Sequence, residues 1–303
     1  MKSIYLAAGA LALSGGMAAA QGLSIGGEGR MGVQYDTNGF ATATGTSRYR
    51  TEARLRLNFS ATVQGDHGLT FGAFSRVQMA TAGGTASTQG TGVFSGARVF
   101  AQAAGFRLTF GNQNGAIATS GAARGIGGRV GYEGGQQNGE TAGLRGAVTR
   151  FNSGGANGTN SGGQQTIHAR YSGGDWEVAL STERTRGFEI GARARFDAVT
   201  VAAGYQSARG GTVRVITASA HYDGGDWGVT GLVARVGAQN NGSIAGNVAL
   251  GGGEFYGYVG RIGGSNSAGL SYGYGLGGGA RVVAGGERVG GRTTASVGVT
   301  FRF

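Results

Sequence analysis

The residues from Arg48 to Val63 carry two kinds of side chain at alternating positions. The odd positions are mainly apolar and include Leu55, Leu57 and Phe59. Successive side chains of a β-strand point to opposite faces, whereas a helix would distribute both kinds around its circumference. The segment is therefore predicted to be a strand with one apolar face and one strongly basic face. The polar face carries Arg48, Arg50, Glu52, Arg54, Arg56, Asn58, Ser60 and Thr62.

The length and charge of this strand favour a membrane barrel over a soluble β-sandwich. A strand in a soluble protein usually has about five or six residues. A strand that crosses a membrane in a barrel has about 9–11 residues, with lipid on its apolar side and a polar lumen on the other. The expected fold class is therefore all-β, a transmembrane antiparallel β-barrel.

The glycine and proline content agrees with a closed sheet. The chain has 68 glycines and no proline. Collagen is excluded because proline and the triplet repeat are both missing, and a disordered linker would also be expected to contain proline. Glycine suits tight turns between strands, and proline is avoided where every backbone N–H must donate to a neighbouring strand.

The first residues have the pattern of a secretory signal peptide, predicted at 1–20. Lys2 is followed by an apolar run from Ile4 to Ala12 and by the small residues Ala18–Ala20, before Gln21. No later apolar run reaches the roughly 20 residues of a membrane helix. The mature barrel is predicted to span 21–303 and to lie in the outer membrane of a Gram-negative cell, surrounded by lipid.

The mature chain would be strongly basic. Lys2 is the only lysine, so 25 arginines face 15 acidic residues, a formal charge of +10. Such a balance suits nucleic acid, an anionic membrane surface or anionic solutes. Nucleic-acid-binding proteins usually gather their charge in a patch or tail, whereas here the arginines recur along the whole chain. We therefore expect no nucleic-acid partner.

Alternation and glycine turns predict sixteen strands, an even number as in single-chain bacterial barrels. Five precede residue 113, beginning with Leu23 to Tyr35 and then, after a polar loop from Asp36 to Ser47, the segment that ends at Val63. Eleven more follow from Thr166. Alternation is poor over residues 212–236, where bulges or register errors are expected.

Residues 113–165 interrupt the pattern with a stretch rich in glycine, asparagine and glutamine. So long a connection is usually functional or disordered. It is either a flexible external loop or a segment that folds inward and narrows the lumen. The segment from Thr141 to Phe151 also resembles a weak strand.

The residues that carry enzymatic or metal chemistry are sparse. The three histidines, His67, His168 and His221, are scattered, and no spacing suggests a catalytic triad or a metal cluster. No cysteine is present to provide a thiolate ligand. We expect no enzyme activity and no cofactor.

The final strand carries a predicted assembly signal. Ala295, Val297, Val299, Phe301 and Phe303 alternate with polar residues. A terminal aromatic residue on such a strand resembles the signal that the barrel assembly machinery reads in outer-membrane barrels. Phe301 and Phe303 are the predicted signal residues.

Several segments together resemble the general diffusion porins of alphaproteobacteria, the Rhodobacter type. They are Leu23 to Tyr35, Gly68 to Val77, Arg107 to Ala116, Gly131 to Gly134, and the closing VGVTFRF. The resemblance implies a homotrimer of sixteen-stranded barrels, each with its third outer loop folded inward. In that family the loop is acidic and faces an arginine-lined wall. Here Glu133 and Glu140 are its only acids, which puts the loop calcium sites of some relatives in doubt.

The leading hypothesis is a passive channel for small hydrophilic solutes that prefers anions. Two alternatives remain: a channel specific for one anionic nutrient, and a glycine-rich surface or structural barrel with no open lumen. Saturating conductance would favour the first, and failure to conduct in planar bilayers would favour the second. The predicted pore-lining residues are Arg30, Arg48, Arg50, Arg54, Arg56, Arg76, Arg98, Glu133 and Glu140.

Overall fold

The computed structural model describes residues 22–42, 45–80, 93–123, 129–132, 139–151, 165–184, 186–210 and 212–303. The predicted signal peptide and Glu133 lie outside the described residues. Most of the described chain is β-strand, joined by short turns. Helical structure within these ranges is limited to α1 (Ala116–Thr119) and two 3-10 turns, Asp66–Gly68 and Gly139–Thr141. None of these helices is long and apolar enough to cross a membrane.

The strands form one closed antiparallel barrel, as predicted. Seventeen segments give sixteen barrel strands, because β4 and β5 both pair with β3 and occupy one position in the sheet. The segments are β1 (Gly22–Thr42), β2 (Gly45–Gln64), β3 (Thr70–Ala80), β4 (Val93–Phe94), β5 (Arg98–Ala103), β6 (Phe106–Gly111), β7 (Thr166–Ser172), β8 (Trp176–Glu183), β9 (Arg186–Phe196), β10 (Val199–Gln206), β11 (Val215–Asp223), β12 (Trp227–Val236), β13 (Gln239–Leu250), β14 (Gly253–Ile262), β15 (Ser265–Gly277), β16 (Ala280–Val289) and β17 (Arg292–Arg302).

The barrel closes where β1 pairs with β17 on one side and β2 on the other. Phe303 extends this seam, because Gly27 donates its N–H to the Phe303 carbonyl at 2.7 Å. The ring of Phe301 lies against Gly29, where an added Cβ would stand 2.1 Å from the ring. Glycine at this position therefore gives the aromatic ring space to cover the neighbouring strand.

Outward-facing apolar and inward-facing polar side chains alternate along the strands, as the sequence predicts. On β8 the apolar side chains Val178 and Leu180 are exposed on the outer surface, and Glu177 and Ser181 between them are buried inside. The connections at one end of the barrel are all short, whereas the connection of residues 112–165 lies at the other end. Outer-membrane barrels have short periplasmic turns and longer outer loops, which identifies the latter as the outer end.

Two local predictions were wrong. The expected loop from Asp36 to Ser47 is largely strand, because β1 continues past a bulge to Thr42 and pairs with the start of β2. The expected bulges over 212–236 are also missing, since β11 and β12 pair in register from Val215↔Val236 to Asp223↔Gly228. Alternation is weak in the second case because Val215 and Leu232 point inward and are buried.

Candidate functional site

The described residues of the connection between β6 and β7 lie inside the barrel and form a small apolar core there. Ile117 and Leu144 have no exposed surface, and Val148 is 1% exposed. They pack with Val215 and Leu232 of the wall in one cluster. The lumen beside β10–β12 is therefore filled with protein. We call residues 112–165 the inner loop.

Two buried carboxylates of the wall hold the backbone of the inner loop. Glu189 on β9 accepts hydrogen bonds from the N–H groups of Ile117, at 3.1 Å, and Thr149, at 2.7 Å. Glu287 on β16 accepts one from the N–H of Gly139 at 3.1 Å. Glu189 thus joins two segments of the loop that are far apart in sequence.

Wall hydroxyl groups make a second set of contacts with the inner loop. Thr217 donates to the carbonyl of Ala122 at 2.7 Å, and Ser271 donates to that of Arg129 at 2.7 Å. Ser243 donates to the Glu140 carbonyl at 2.8 Å. Buried backbone groups without such partners would destabilise the loop. The inner faces of β8–β17, which provide most of these contacts, are called the docking wall.

Glycines of the docking wall let the loop lie close to the sheet. A Cβ added to Gly191 would lie 2.2 Å from the carbonyl oxygen of Ala116. At Gly285 it would lie 2.6 Å from the backbone nitrogen of Gly131. Part of the glycine content thus has a packing role besides forming turns.

The opposite side of the lumen is lined by arginines on the inner faces of β1–β6, called the arginine wall. Arg30 forms an ion pair with Glu52 at 2.5 Å. Arg54 and Arg56 share the carboxylate of Glu28, at 2.9 and 2.7 Å. These pairs hold the guanidinium groups in the row that alternation predicts.

Other arginines of this wall are positioned by neutral partners. Arg50 donates to the amide oxygen of Gln34 at 2.6 Å, and Arg98 donates to that of Gln113 at 2.9 Å. Such bonds orient a guanidinium group without cancelling its charge. Arg76 likewise donates to the Asn58 amide oxygen, at 2.7 Å.

An aromatic pair connects the inner loop to the arginine wall. The ring centroids of Phe74, on β3, and Phe151, at the end of the described loop, are 5.8 Å apart. The Arg98 guanidinium lies 4.2 Å from the first ring and 5.6 Å from the second. Arg76 lies 5.1 Å from Phe151. These cation–π contacts attach the returning segment of the loop to β3 and β5.

A cavity of about 880 Å³ lies between the inner loop and the walls. Nine arginines and three carboxylates line it, a formal excess of six positive charges. Glu52, which pairs with Arg30, reduces the excess to five. The lining arginines are Arg30, Arg50, Arg54 and Arg56 from the arginine wall, Arg129 and Arg145 from the inner loop, and Arg281, Arg292 and Arg302 from β16 and β17.

The predicted pore-lining residues thus fall into separate groups. Four of them, Arg30, Arg50, Arg54 and Arg56, line the cavity. Arg76 and Arg98 belong to the cluster around Phe151, whereas Arg48 is exposed towards the outer end of β2. Glu140 belongs to the inner loop itself and is 4% exposed where the loop contacts Ser243 of the docking wall. Their roles in conduction stay predictions.

Some site residues were missed by sequence reasoning. Alternation along the last strand predicts that Arg302 faces inward, and the same rule along β16 would have added Arg281, which was missed. Tyr132 donates its hydroxyl to Glu52 at 3.2 Å and accepts from Gln34 at 3.0 Å, which brings the inner loop against β1 and β2. No sequence pattern indicates this last contact, because it joins a loop to strands about 80 and 98 residues away.

A closed sixteen-stranded barrel with a long connection folded into its lumen is the architecture of an outer-membrane diffusion channel. Residues 7–294 match the family model for Gram-negative porins, and the chain belongs to that family. Two engineered variants of the Rh. blastica porin share the fold, with TM-scores of 0.77 and 0.76. Each variant is 24% identical to this chain, and each match covers 93% of this chain and 100% of the variant. A comparison with curated proteins found no match.

These comparisons confirm the resemblance to Rhodobacter-type porins. The family and the fold are those of outer-membrane diffusion channels that catalyse no reaction. The protein is therefore a porin of the outer membrane.

Proposed function

We propose that this porin admits small hydrophilic solutes by passive diffusion and prefers anions. One observation carries the proposal: the cavity beside the inner loop has arginines on the loop as well as on the walls. Arg129 and Arg145 of the loop share this cavity with Arg50 and Arg54 of the arginine wall. A solute in the cavity would therefore meet positive charge on more than one side.

The expected preference is moderate. In water, a unit charge about 8 Å from an ion changes its energy by about 0.5 kcal/mol, before screening by salt. Several guanidinium groups acting together would favour anions over cations severalfold, and both would still pass. Selectivity should decrease as the salt concentration rises, because the Debye length becomes shorter.

The test is the zero-current potential across a planar bilayer under a salt gradient. The variant carries Arg50→Glu and Arg145→Glu, which place negative charge on both sides of the cavity. Neither residue is paired with a carboxylate in the contacts described above, whereas Arg54 and Arg56 hold Glu28. The potential should move towards the cation side.

The matched control carries Arg184→Glu and Arg209→Glu, which change the same charge at exposed connections outside the cavity. Its potential should stay close to that of the unmodified porin. Cation selectivity in the unmodified porin, or equal potentials for both variants, would refute the anion preference.

We also propose a homotrimer and a role for Phe301 and Phe303 in assembly. The contacts of both residues with Gly27 and Gly29 at the seam support such a role. Removal of Phe303 should lower the yield of heat-modifiable oligomer in the outer membrane more than it changes conductance. Normal oligomer yield would show that this aromatic residue is dispensable.

We also propose that residues 1–20 are cleaved as a signal peptide. The first residue of the exported chain would then be Gln21.

A further inference from the structure

The inner surface of the barrel carries a second group of arginines, on the periplasmic side of the inner loop. Arg107 lies on β6, Arg170 on β7 and Arg193 on β9. The cavity described above has other arginines in its lining. Phe106 and Tyr171 are exposed on the outer surface, so alternation turns the adjacent Arg107 and Arg170 towards the lumen. We call Arg107, Arg170 and Arg193 the mouth arginines.

The mouth arginines lie one inward-facing position beyond the residues that contact α1 of the inner loop. His168, two residues before Arg170 on β7, contacts the last residue of α1 through its Nε2 atom at 3.0 Å. Gly191, two residues before Arg193 on β9, lies against the carbonyl of the first residue of α1. Both strands run from the outer end towards the short turns. An advance of two residues is about 6.6 Å, so these arginines lie just below α1, on its periplasmic side.

Two of the mouth arginines share one carboxylate. The guanidinium groups of Arg170 and Arg193 each lie 3.4 Å from the same oxygen of Glu177, Oε2. The Glu177 side chain is 4% exposed, whereas those of Arg170 and Arg193 are 36% and 44% exposed. The carboxylate therefore lies behind the two arginines. A guanidinium group has five N–H donors, so both arginines keep donors that face the water of the lumen.

The third mouth arginine faces another positive charge. Arg107 and Arg170 occupy directly opposite positions on the paired strands β6 and β7. Side chains at such positions are close neighbours, and like charges there repel each other. The ring of Phe100 orients Arg107, whose guanidinium carbon lies 3.6 Å from the ring centroid. Among the described residues, Arg107 forms no ion pair with a carboxylate. An anion between the two guanidinium groups would offset their repulsion.

We propose that the mouth arginines form a binding site for divalent oxyanions, such as sulfate, hydrogen phosphate or a small dicarboxylate. We call it the mouth site. Planar guanidinium groups donate paired hydrogen bonds to the oxygens of such ions. A doubly charged ion is attracted twice as strongly as chloride by each positive charge. The mouth site rests on the proposed passage of solutes through the lumen, and it adds a second place, below the inner loop, where anions are held.

The test measures how sulfate blocks the chloride current of single channels in a planar bilayer. Sulfate held at the mouth site should reduce the chloride current. Sulfate added on the periplasmic side should block at a lower concentration than sulfate added on the outer side, because the site lies below the inner loop. The chain has no cysteine, so Asp66→Cys on an exposed periplasmic turn marks the orientation of each channel. The marker reacts with a thiol reagent that is too large to pass through the pore.

The variant carries Arg107→Gln and Arg170→Gln, which leaves Glu177 paired with Arg193. The half-blocking concentration of sulfate should rise on the order of tenfold, because both lost charges act at short range on a doubly charged ion. A second variant with Arg107→Lys and Arg170→Lys keeps both charges and should recover most of the block. A role of these residues in folding alone would not produce this dependence on charge.

The matched control carries Arg184→Gln and Arg209→Gln. It removes the same two charges from exposed connections at the outer end of the barrel. The half-blocking concentration of sulfate in this control should equal that of the unmodified porin.

Equal half-blocking concentrations in the glutamine variant and the unmodified porin would overturn the mouth site. So would a block that is equally strong from both sides of the membrane. The zero-current potential under a salt gradient, recorded on the same channels, tests the anion preference separately. A cation preference, together with a sulfate block that depends on the mouth arginines, would refute that preference and leave the mouth site in place. Heat-modifiable migration on gels establishes that each variant is folded.

Discussion

The two sides of the lumen use acidic residues in different ways. On the arginine wall, Glu28 and Glu52 pair with guanidinium groups and hold them in a row. On the docking wall, Glu189 and Glu287 accept hydrogen bonds from loop backbone N–H groups. Glu177 of the docking wall also pairs with arginines, so it is Glu189 and Glu287, at the positions that face the inner loop, that hold backbone instead of charge. The role of a wall carboxylate depends on whether a long basic side chain or a segment of backbone lies opposite.

Side-chain size also differs between the walls, because it too depends on what lies opposite. The arginine wall projects long side chains into the cavity, whereas the docking wall has glycine, serine and threonine beneath the inner loop. A wall that meets water can carry large polar groups. A wall that meets a folded segment must leave room for it, since packed interiors hold few voids.

The largest effect is expected from a larger side chain on the docking wall. Gly191→Val would place a Cβ 2.2 Å from the Ala116 carbonyl, which requires the loop to move. Overpacking of this kind costs about 1–3 kcal/mol and sometimes more. Single-channel conductance should fall, because a loop pushed away from β9 moves into the cavity on its other side.

Gly231→Val is the matched control, because an added Cβ at this exposed glycine of β12 meets nothing within 4 Å. Its conductance should equal that of the unmodified porin. Unchanged conductance in Gly191→Val, with both variants folded, would mean that the docking wall does not determine the width of the channel.

A smaller effect is expected from neutralising a carboxylate that holds the loop. Glu189→Gln keeps one of the two acceptor oxygens and replaces the other with an NH2 group, so one bond from a backbone N–H is lost and the other loses the charge that strengthens it. Hydrogen bonds to charged groups contribute about 1.5–3 kcal/mol each, and part of this should be lost. Current noise and proteolysis within the inner loop should both increase.

Glu177→Gln provides the comparison for this variant. Glu177 is equally a buried wall carboxylate, but the contacts described for it are with Arg170 and Arg193 of the wall. The Glu177→Gln variant should leave the current noise and the proteolysis of the inner loop unchanged. If both variants behave alike, carboxylates of the docking wall have no special role in holding the loop.

The smallest effect is expected where the inner loop meets the arginine wall. Phe151→Leu removes the ring that lies against Arg76 and Arg98. Cation–π contacts contribute about 0.5–2 kcal/mol, so proteolysis near residue 151 should increase only slightly. Phe110→Leu, on the outer surface, should have no effect on proteolysis there. If Phe151→Leu increased proteolysis of the inner loop more than Glu189→Gln does, the arginine wall would be the main attachment site of the loop.

The sequence predicts the barrel because each strand repeats a simple two-residue period. Most of the sixteen predicted segments agree with one another, and local errors such as the loop expected after Asp36 do not change the closed architecture. The arrangement of the inner loop is harder to predict. Its contacts with Glu189, Ser243 and Glu287 join distant segments and have no local period.

One signal of the docked loop was present in the sequence and was misinterpreted. Alternation weakens over β11 and β12, which we expected to reflect bulges. The structure shows that Val215 and Leu232 are apolar on the inner face because Ile117 and Leu144 of the loop pack in the same cluster. A strand of a barrel that is apolar on both faces can therefore indicate protein, and not water, inside.

The pairing of β1 with β17 constrains the order of events during biogenesis. Hairpins such as β11–β12 need only neighbouring residues and can form early, whereas the seam includes the ion pair between Asp36 and Arg292, 256 positions apart. Contacts so distant in sequence are slow to form. Until they form, β1 and β17 each present an unpaired edge that can join another chain. Closure must therefore wait for export of nearly the whole described chain, and any delay exposes two edges at once.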